Sequence, residues 1–203
     1  GVDSYMGMKA LVIGAGPAGL MAAEELTRAG RRVVICEAKP SPARKFLMAG
    51  KSGLNVTKDE GAARFLAAYG SGWLAPMLSA FGPEAVKDWC RGLGQEVFTG
   101  SSGRVFPVAM KGSPLLRAWL ARLGAAGVEL RVRWRWEGFD GDGFRFATPG
   151  GVQVLRPAVT VLALGGASWA RLGSDGAWVP WLRARGVEVA GFRPANMGFV
   201  VHW

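Results

Sequence analysis

The sequence has few of the residue types that metal sites and thiol chemistry use. It contains two cysteines and one histidine among 203 residues. Cys36 and Cys90 have no paired spacing, which excludes a disulfide framework or a cysteine metal motif, and we expect two buried thiols. His202 lies at the end of the chain, where we do not expect it to act as a general base. We therefore predict no metal site, and the sequence identifies no catalytic side chain.

Long hydrophobic runs are also lacking. No stretch approaches the roughly 20 apolar residues that cross a bilayer, and the opening GVDSYMGMKA lacks the basic and apolar regions of a signal peptide. We therefore expect a cytoplasmic protein with no membrane partner. Residues 1–7 are expected to be an addition to the natural sequence, because Met8 and Lys9 lead directly into the first predicted strand.

Acidic residues are outnumbered. There are 25 Lys and Arg against 15 Asp and Glu, a formal net charge of +10. A basic excess can bind nucleic-acid phosphates, but no RNA-binding signature or helix-turn-helix pattern accompanies the basic residues between Arg104 and Arg135. Nucleic-acid binding is therefore an alternative that we do not favour. The same charge can attract an anionic cofactor or substrate.

Glycine and hydrophobic residues are plentiful. The 31 glycines show no collagen-like period and indicate tight turns, while half of the residues are hydrophobic, enough for one substantial core. We expect residues 1–203 to form one principal domain. Within it, alternating apolar residues and turn signals over residues 128–155 predict an antiparallel β-meander whose first strand runs over Glu129–Trp136.

The N-terminal segment reads as a strand, a helix and a second strand. Apolar residues over Lys9–Ile13 and Val33–Cys36 predict buried parallel strands, and Pro17–Ala29 has the spacing of a helix. Ala158–Leu164 is a further apolar run that suits a return into the same sheet. Together these elements predict an α/β, Rossmann-like FAD/NAD(P)-binding fold with a parallel sheet and the antiparallel meander. Pro40–Thr57 is expected to be a long ordered loop.

A GxGxxG motif lies where the first strand meets the helix. Gly14 permits the tight turn, Gly16 lets the backbone approach a pyrophosphate, and Gly19 allows close packing of helix on strand. Pro17 and Ala18 complete the predicted phosphate-binding turn at the helix N-terminus. Glu37 ends the second strand, where a carboxylate can accept hydrogen bonds from ribose hydroxyls. This spacing does not separate FAD from NAD, so an NAD-dependent dehydrogenase stays open.

Five segments resemble the BaiN-like (YhiN-like) bacterial flavoproteins, whose relatives are described as aminoacetone oxidase-like. They are GAGPAGLMAA in the first turn and helix, AGKSGLNVT from Ala49, GRVFPVAMKGSPLLRAWLARL from Gly103, LALGGASWARLGSDGAW from Leu162 and RPANMGF from Arg193. The resemblance covers nearly the whole chain after Met8. It implies noncovalently bound FAD in a two-dinucleotide-binding-domain-like or glutathione-reductase-like fold.

The same resemblance extends the predicted cofactor site. It implies contacts to the ribityl chain and flavin from one loop, and an approach from the far strand by a glycine pair. The loop residues are Lys45, Gly50, Lys51, Ser52, Gly53 and Asn55, and the pair is Gly165 and Gly166. Leu54 stands where the family commonly has a cysteine, so no thiol role is expected there.

The resemblance also implies an enzymatic activity and a longer parent protein. Family members are about twice as long, so the chain is expected to be an N-terminal part of such an enzyme, one that can be incomplete and inactive by itself. The implied activity is that of an FAD-dependent oxidoreductase, moving a hydride between FAD and a small organic substrate or NAD(P)H.

Overall fold

The computed structural model describes residues 2–5, 9–51, 53–70 and 72–193. The chain divides into two compact units, the first formed by Gly1–Lys45 and Gly127–Trp203 and the second by Phe46–Ala126. In the described residues no helix is long and apolar enough to cross a membrane.

The helices are α1 (Pro17–Arg28), α2 (Arg44–Ala49), α3 (Ala62–Ala67), α4 (Ala75–Ala80), α5 (Pro83–Gly92), α6 (Gly112–Ala125) and α7 (Val179–Ala184), with short 3₁₀ turns at Gly72–Leu74 and Ala170–Leu172. The strands are β1 (Val2–Tyr5), β2 (Ala10–Ile13), β3 (Val33–Glu37), β4 (Thr57–Lys58), β5 (Val97–Thr99), β6 (Arg104–Pro107), β7 (Glu129–Val132), β8 (Arg135–Asp140), β9 (Gly143–Thr148), β10 (Gly151–Arg156) and β11 (Val159–Leu162).

A parallel sheet organises the first unit. Its strands lie in the order β11-β2-β3-β7, and every neighbouring pair is parallel. All four residues of β2 are buried, as are the first four of β3, because both faces of the sheet are covered. The predicted strand, helix and strand therefore form as expected, and the α/β Rossmann-like fold class is confirmed.

An antiparallel sheet covers one face of the parallel sheet. Strands β8, β9 and β10 form the expected meander, and β1 adds to its edge, parallel to β10. Leu11 and Ile13 of β2 and Val34 of β3 share a buried cluster with Phe146 and Leu155 of the meander. Val12 points to the opposite face, where its Cγ1 lies near Gly19 of α1. Helix α1 and the meander thus pack on opposite faces of the parallel sheet.

The predicted single strand over Glu129–Trp136 is wrong in one respect. The chain breaks at Arg133, whose φ is +58°, and the two halves join different sheets, β7 beside β3 and β8 beside β9. The Arg133 N–H donates to the Lys39 carbonyl and the Trp134 N–H to the Glu37 carbonyl, so the break is held by the end of β3. Alternation of apolar residues cannot reveal this, because both halves follow the same pattern.

The second unit is mainly helical. Helices α3 to α6 accompany a three-stranded antiparallel sheet in the order β4-β6-β5, and Trp89 of α5 meets Trp119 of α6 edge to face at 4.6 Å. The expected loop over Pro40–Thr57 contains helix α2 and the start of β4. The helix was missed because its six residues are too few to show a helical period.

Both cysteines are buried as expected. Burial raises the pKa of Cys36 to about 12 and that of Cys90 to about 11. At neutral pH both are therefore protonated thiols, which are weak nucleophiles. We expect a chromogenic disulfide reagent to label neither in the folded protein and both after denaturation in guanidinium. Fast labelling of either cysteine under native conditions would contradict this placement.

Candidate functional site

The carboxyl ends of three parallel strands meet at one edge of the sheet in the first unit. From β2 the chain passes through α1 to β3 on one side, and it later returns as β11 on the other side of β2. The direction of strand order therefore reverses at β2. In open α/β sheets, ligands bind in the crevice at such a reversal. The GxGxxG turn lies at this point.

Gly14 makes the turn that leaves β2. Its φ is +105°, and its N–H donates to the Cys36 carbonyl at 2.8 Å. A Cβ at Gly14 would lie 2.1 Å from the Ala163 carbonyl oxygen, in the segment that follows β11. Both the backbone angle and the contact require glycine.

Gly19 lets α1 approach this turn. A Cβ at Gly19 would lie 1.8 Å from the carbonyl oxygen of Gly14, and Gly19 is buried. The helix can therefore pack against the turn only without a side chain at this position.

Gly16 differs from the other two glycines. It is the N-cap of α1 with φ −80°, an angle open to every residue, and a Cβ there would meet nothing within 4 Å. The protein's own atoms therefore do not require a glycine at Gly16. No side chain caps this 12-residue helix, and its first turn carries no acidic residue. Because the first amides of a helix have no partner within it, an anionic ligand fits this space.

Pro17 and Ala18 occupy the exposed first turn of α1. Pro17 has no N–H to donate and fixes the helical φ, which suits the first helical position. The Leu20 N–H donates to the Gly16 carbonyl at 3.0 Å and so begins the hydrogen-bonding of the helix. By this geometry the amides of Ala18 and Gly19 are left for a ligand.

Glu37 links the end of β3 to the glycine turn. Its Oε2 accepts from the Ala15 N–H at 2.8 Å, and its Oε1 accepts from the Lys39 N–H at 2.9 Å. Each oxygen keeps a lone pair, so the carboxylate can still accept from ribose hydroxyls as predicted. The bond to Ala15 was not predicted, and it makes Glu37 a support of the turn.

Replacement of Glu37 by glutamine is expected to lower the unfolding free energy of the cofactor-free protein by about 1–2 kcal/mol. The carboxamide NH₂ would face one of the two N–H donors, leaving that amide without an acceptor. Urea unfolding measures the loss. The matched control is Glu25→Gln, which removes only an exposed pair with Arg28 and should change stability little. Equal stability of both variants would refute the supporting role.

The segment after β3 crosses toward the loop that follows β11. Buried Ala43, with φ +53°, donates its N–H to the Ala15 carbonyl at 2.8 Å. The Lys45 Nζ donates to the Ser168 Oγ at 2.5 Å, which places the predicted ammonium at the crevice. Sequence reasoning missed Ala15, Ala43 and Ser168, because a non-glycine residue at positive φ and a contact between distant residues leave no local pattern.

The predicted glycine pair follows β11. Gly165 has φ +68°, its carbonyl accepts from the Trp178 indole N–H at 3.2 Å, and buried Ser174 lies against it. A Cβ at Gly166 would meet only the Phe192 ring, at 3.8 Å. Gly165 is therefore required by the backbone of this loop, and its approach to a cofactor stays a prediction.

The remaining predicted residues belong to the second unit. Gly53 has φ +125°, and a Cβ there would lie 3.1 Å from the Met110 methyl, while Gly50 is buried and close to Leu54 and Gly112. Lys51 and Asn55 are exposed, and Ser52 lies outside the described residues. The structure describes this loop within its own unit, so its predicted contacts to a cofactor stay predictions.

Comparison with known proteins agrees with this geometry. The family model described as HI0933-like protein Rossmann domain matches residues 8–193. A search of the curated proteins finds no match.

Solved structures share the fold at low identity. The Thermovibrio ammonificans protein THI4 is 16% identical with a TM-score of 0.57, over 89% of this chain and 64% of its own. A 3-ketosteroid-delta4-(5alpha)-dehydrogenase from Rhodococcus jostii is 16% identical with a TM-score of 0.57, over 89% of this chain and 54% of its own. A flavocytochrome c3 fumarate reductase is 18% identical with a TM-score of 0.56, over 78% of this chain and 34% of its own. The chain thus spans about a third to two thirds of these proteins.

Proposed function

The chain belongs to the family of HI0933-like Rossmann domains, a family of FAD-binding flavoproteins, and from this premise we propose that it is the cofactor-binding part of an FAD-dependent oxidoreductase. The observation that supports this most is the contrast within the glycine motif. Gly14 and Gly19 are required by neighbouring backbone atoms, whereas Gly16 faces open space at a helix N-terminus. A glycine that the fold does not need is explained by a ligand that approaches the backbone closely.

The residues of the first unit fit the phosphate and ribose of such a cofactor. The amides of Ala18 and Gly19 would bind the pyrophosphate, and Glu37 would accept hydrogen bonds from the adenosine ribose. A carboxylate there repels a 2′-phosphate, so the same site disfavours NADP. Lys45, held by Ser168, adds a positive charge at the crevice. The loop with Gly50, Lys51, Ser52, Gly53 and Asn55 and the pair Gly165 and Gly166 are assigned to the flavin half.

The reaction proposed is hydride transfer to or from a small organic molecule, with NAD(P)H as a further candidate donor. When bound, the flavin ring accepts the hydride, so the protein needs no nucleophilic side chain. This agrees with the unreactive burial of both cysteines. His202 lies outside the described residues. A cytoplasmic, bacterial setting is part of the proposal, supported by the two unpaired cysteines and the resemblance to bacterial flavoproteins.

The proposal is tested by cofactor content and selectivity. The protein is purified without added cofactor, denatured, and its supernatant examined for flavin, and the apoprotein is then titrated with FAD and NAD separately. We expect FAD to bind one to one and to raise the melting temperature. Binding of NAD with higher affinity than FAD would support the nicotinamide alternative. Preferential, steeply salt-dependent binding of RNA would support the nucleic-acid alternative.

Removal of Lys45 is expected to weaken FAD binding and to make the binding that remains less dependent on salt concentration. Lys45→Met takes away one cation near an anionic ligand, so the affinity should fall about tenfold at low ionic strength and less at high ionic strength. Ser168→Ala should cause a smaller loss, because Lys45 keeps its charge but loses its hydrogen bond. Flavin fluorescence quenching measures both.

The control for Lys45 is Arg32→Met. Arg32 is exposed beside the start of β3, at the amino edge of the same sheet, so the variant removes the same charge far from the crevice. If Arg32→Met lowered the affinity as much as Lys45→Met, net charge alone would account for the effect. Lys45 would then have no local role.

A further inference from the structure

The second unit contains an open groove of about 600 Å³ between β4 and helices α3, α4 and α5. One wall is apolar and the other, formed by β4 and its neighbours, is mainly polar. Its lining includes Phe65, Tyr69, Met77 and Phe81 on the apolar wall and Asn55, Lys58 and Glu60 on the polar wall. All of them lie in the second unit, so the groove is complete within one compact body.

The apolar wall is unusually exposed. Helices α3 and α4 bury none of their residues, and Tyr69, Met77 and Phe81 are 50%, 56% and 41% exposed. Phe65 and Tyr69 meet edge to face at 5.3 Å, so the aromatic part of the wall is already ordered. Contiguous exposed apolar surface in a concave site is a common mark of ligand binding.

The charged residues of the polar wall are paired with each other. Lys58 and Glu60, the charged lining residues, pair at 3.4 Å, and Arg64 adds a second contact to Glu60 at 3.5 Å. The Glu60 side chain is only 13% exposed, and its carboxylate is paired with both Lys58 and Arg64. The exposed carboxamide of Asn55 supplies a donor and an acceptor without charge. This wall therefore suits an uncharged polar group.

The groove has the size of a small-molecule site. Small-molecule sites have volumes of about 300–1,000 Å³, which includes this groove. We propose that the groove binds an uncharged amphipathic small molecule, whose apolar part packs on Tyr69, Met77 and Phe81 and whose polar group bonds to Asn55.

The inference goes beyond the proposed cofactor function, with which it shares one residue, Asn55. The test uses the uncharged fluorescent dye N-phenylnaphthylamine, which brightens in apolar surroundings, and the full chain without added FAD. Asn55 is left unchanged, because it also belongs to the predicted cofactor loop. Met77→Glu places a charge on the apolar wall. Because Met77 is exposed, water can solvate the new carboxylate in the free protein, and the fold should tolerate it.

We expect the dye to bind one to one and Met77→Glu to weaken it about tenfold or more, because the new carboxylate would lose water on binding. The matched control is Trp73→Glu, since Trp73 is 71% exposed, precedes α4 and does not line the groove. That variant should leave the dye affinity unchanged. Met77→Leu should bind the dye as well as the unmodified chain does. The loss in Met77→Glu would then be due to the charge and not to the removal of methionine.

Three results would overturn the inference. The first is equal weakening by Trp73→Glu and Met77→Glu, which would mean nonspecific adsorption to apolar surface. The second is dye binding that neither Met77→Glu nor Phe81→Ser changes. The third is a dimer in sedimentation experiments that dissociates in Met77→Glu, because the groove would then seat a second copy of the chain.

Discussion

Replacement of Gly19 by alanine is expected to destabilise the first unit by about 3 kcal/mol or more, enough to prevent stable folding at moderate temperature. The new methyl group would lie 1.8 Å from the Gly14 carbonyl oxygen, which is backbone and cannot rotate away. Relief requires α1 to move from β2, and this exposes the buried contacts of Leu20 and Ala23. Circular dichroism and urea unfolding measure the loss.

Gly16→Ala is the matched comparison for stability. It makes the same chemical change in the same turn, at a position where the methyl meets nothing within 4 Å. Its unfolding free energy should stay within about 1 kcal/mol of the unmodified chain, the usual range for an N-cap change. Equal and small effects of the two variants would show that α1 does not pack on the glycine turn as described.

Gly16→Ala is expected to have its large effect on binding, lowering FAD affinity about 100-fold or more. The methyl group would occupy the space through which the backbone approaches the pyrophosphate. Loss of one or two charge-assisted hydrogen bonds, each worth about 1.5–3 kcal/mol, accounts for this change. Calorimetric titration of the folded variant measures it.

Gly124→Ala controls for glycine replacement in general. Gly124 lies in α6, where an added Cβ meets nothing within 4 Å, so FAD affinity should not change. The same variant should raise stability slightly, because alanine favours a helix by up to about 1 kcal/mol over glycine. Normal FAD binding by Gly16→Ala would remove the main support for a pyrophosphate at this turn.

The glycine turn at the centre of the candidate site could be predicted because its information is local. A buried strand, three glycines at fixed spacing, a helix and Glu37 follow one another within a short stretch, and each residue type has a known steric role. The structure separates those roles. Neighbouring backbone atoms require glycine at Gly14 and Gly19, whereas a Cβ at Gly16 would meet no protein atom within 4 Å, in line with the roles that the motif predicts.

Contacts between distant residues could not be predicted. The bond between Lys45 and Ser168 joins residues 123 positions apart, and the Ala43 amide on Ala15 depends on a positive φ that alanine rarely adopts. The break at Arg133 is equally hidden, because its cause is hydrogen bonding to the end of β3. Such features arise from pairing across the fold and have no local signal.

The measurement that tests the central claim most directly is calorimetric titration of the cofactor-free chain with FAD and, separately, with ADP. ADP contains the adenosine and diphosphate that Gly16, Ala18 and Glu37 are proposed to bind in the first unit. We predict one FAD per chain, ADP binding that competes with it, and strong weakening of both in Gly16→Ala. A folded, cooperatively melting protein that binds neither FAD nor ADP would contradict the account.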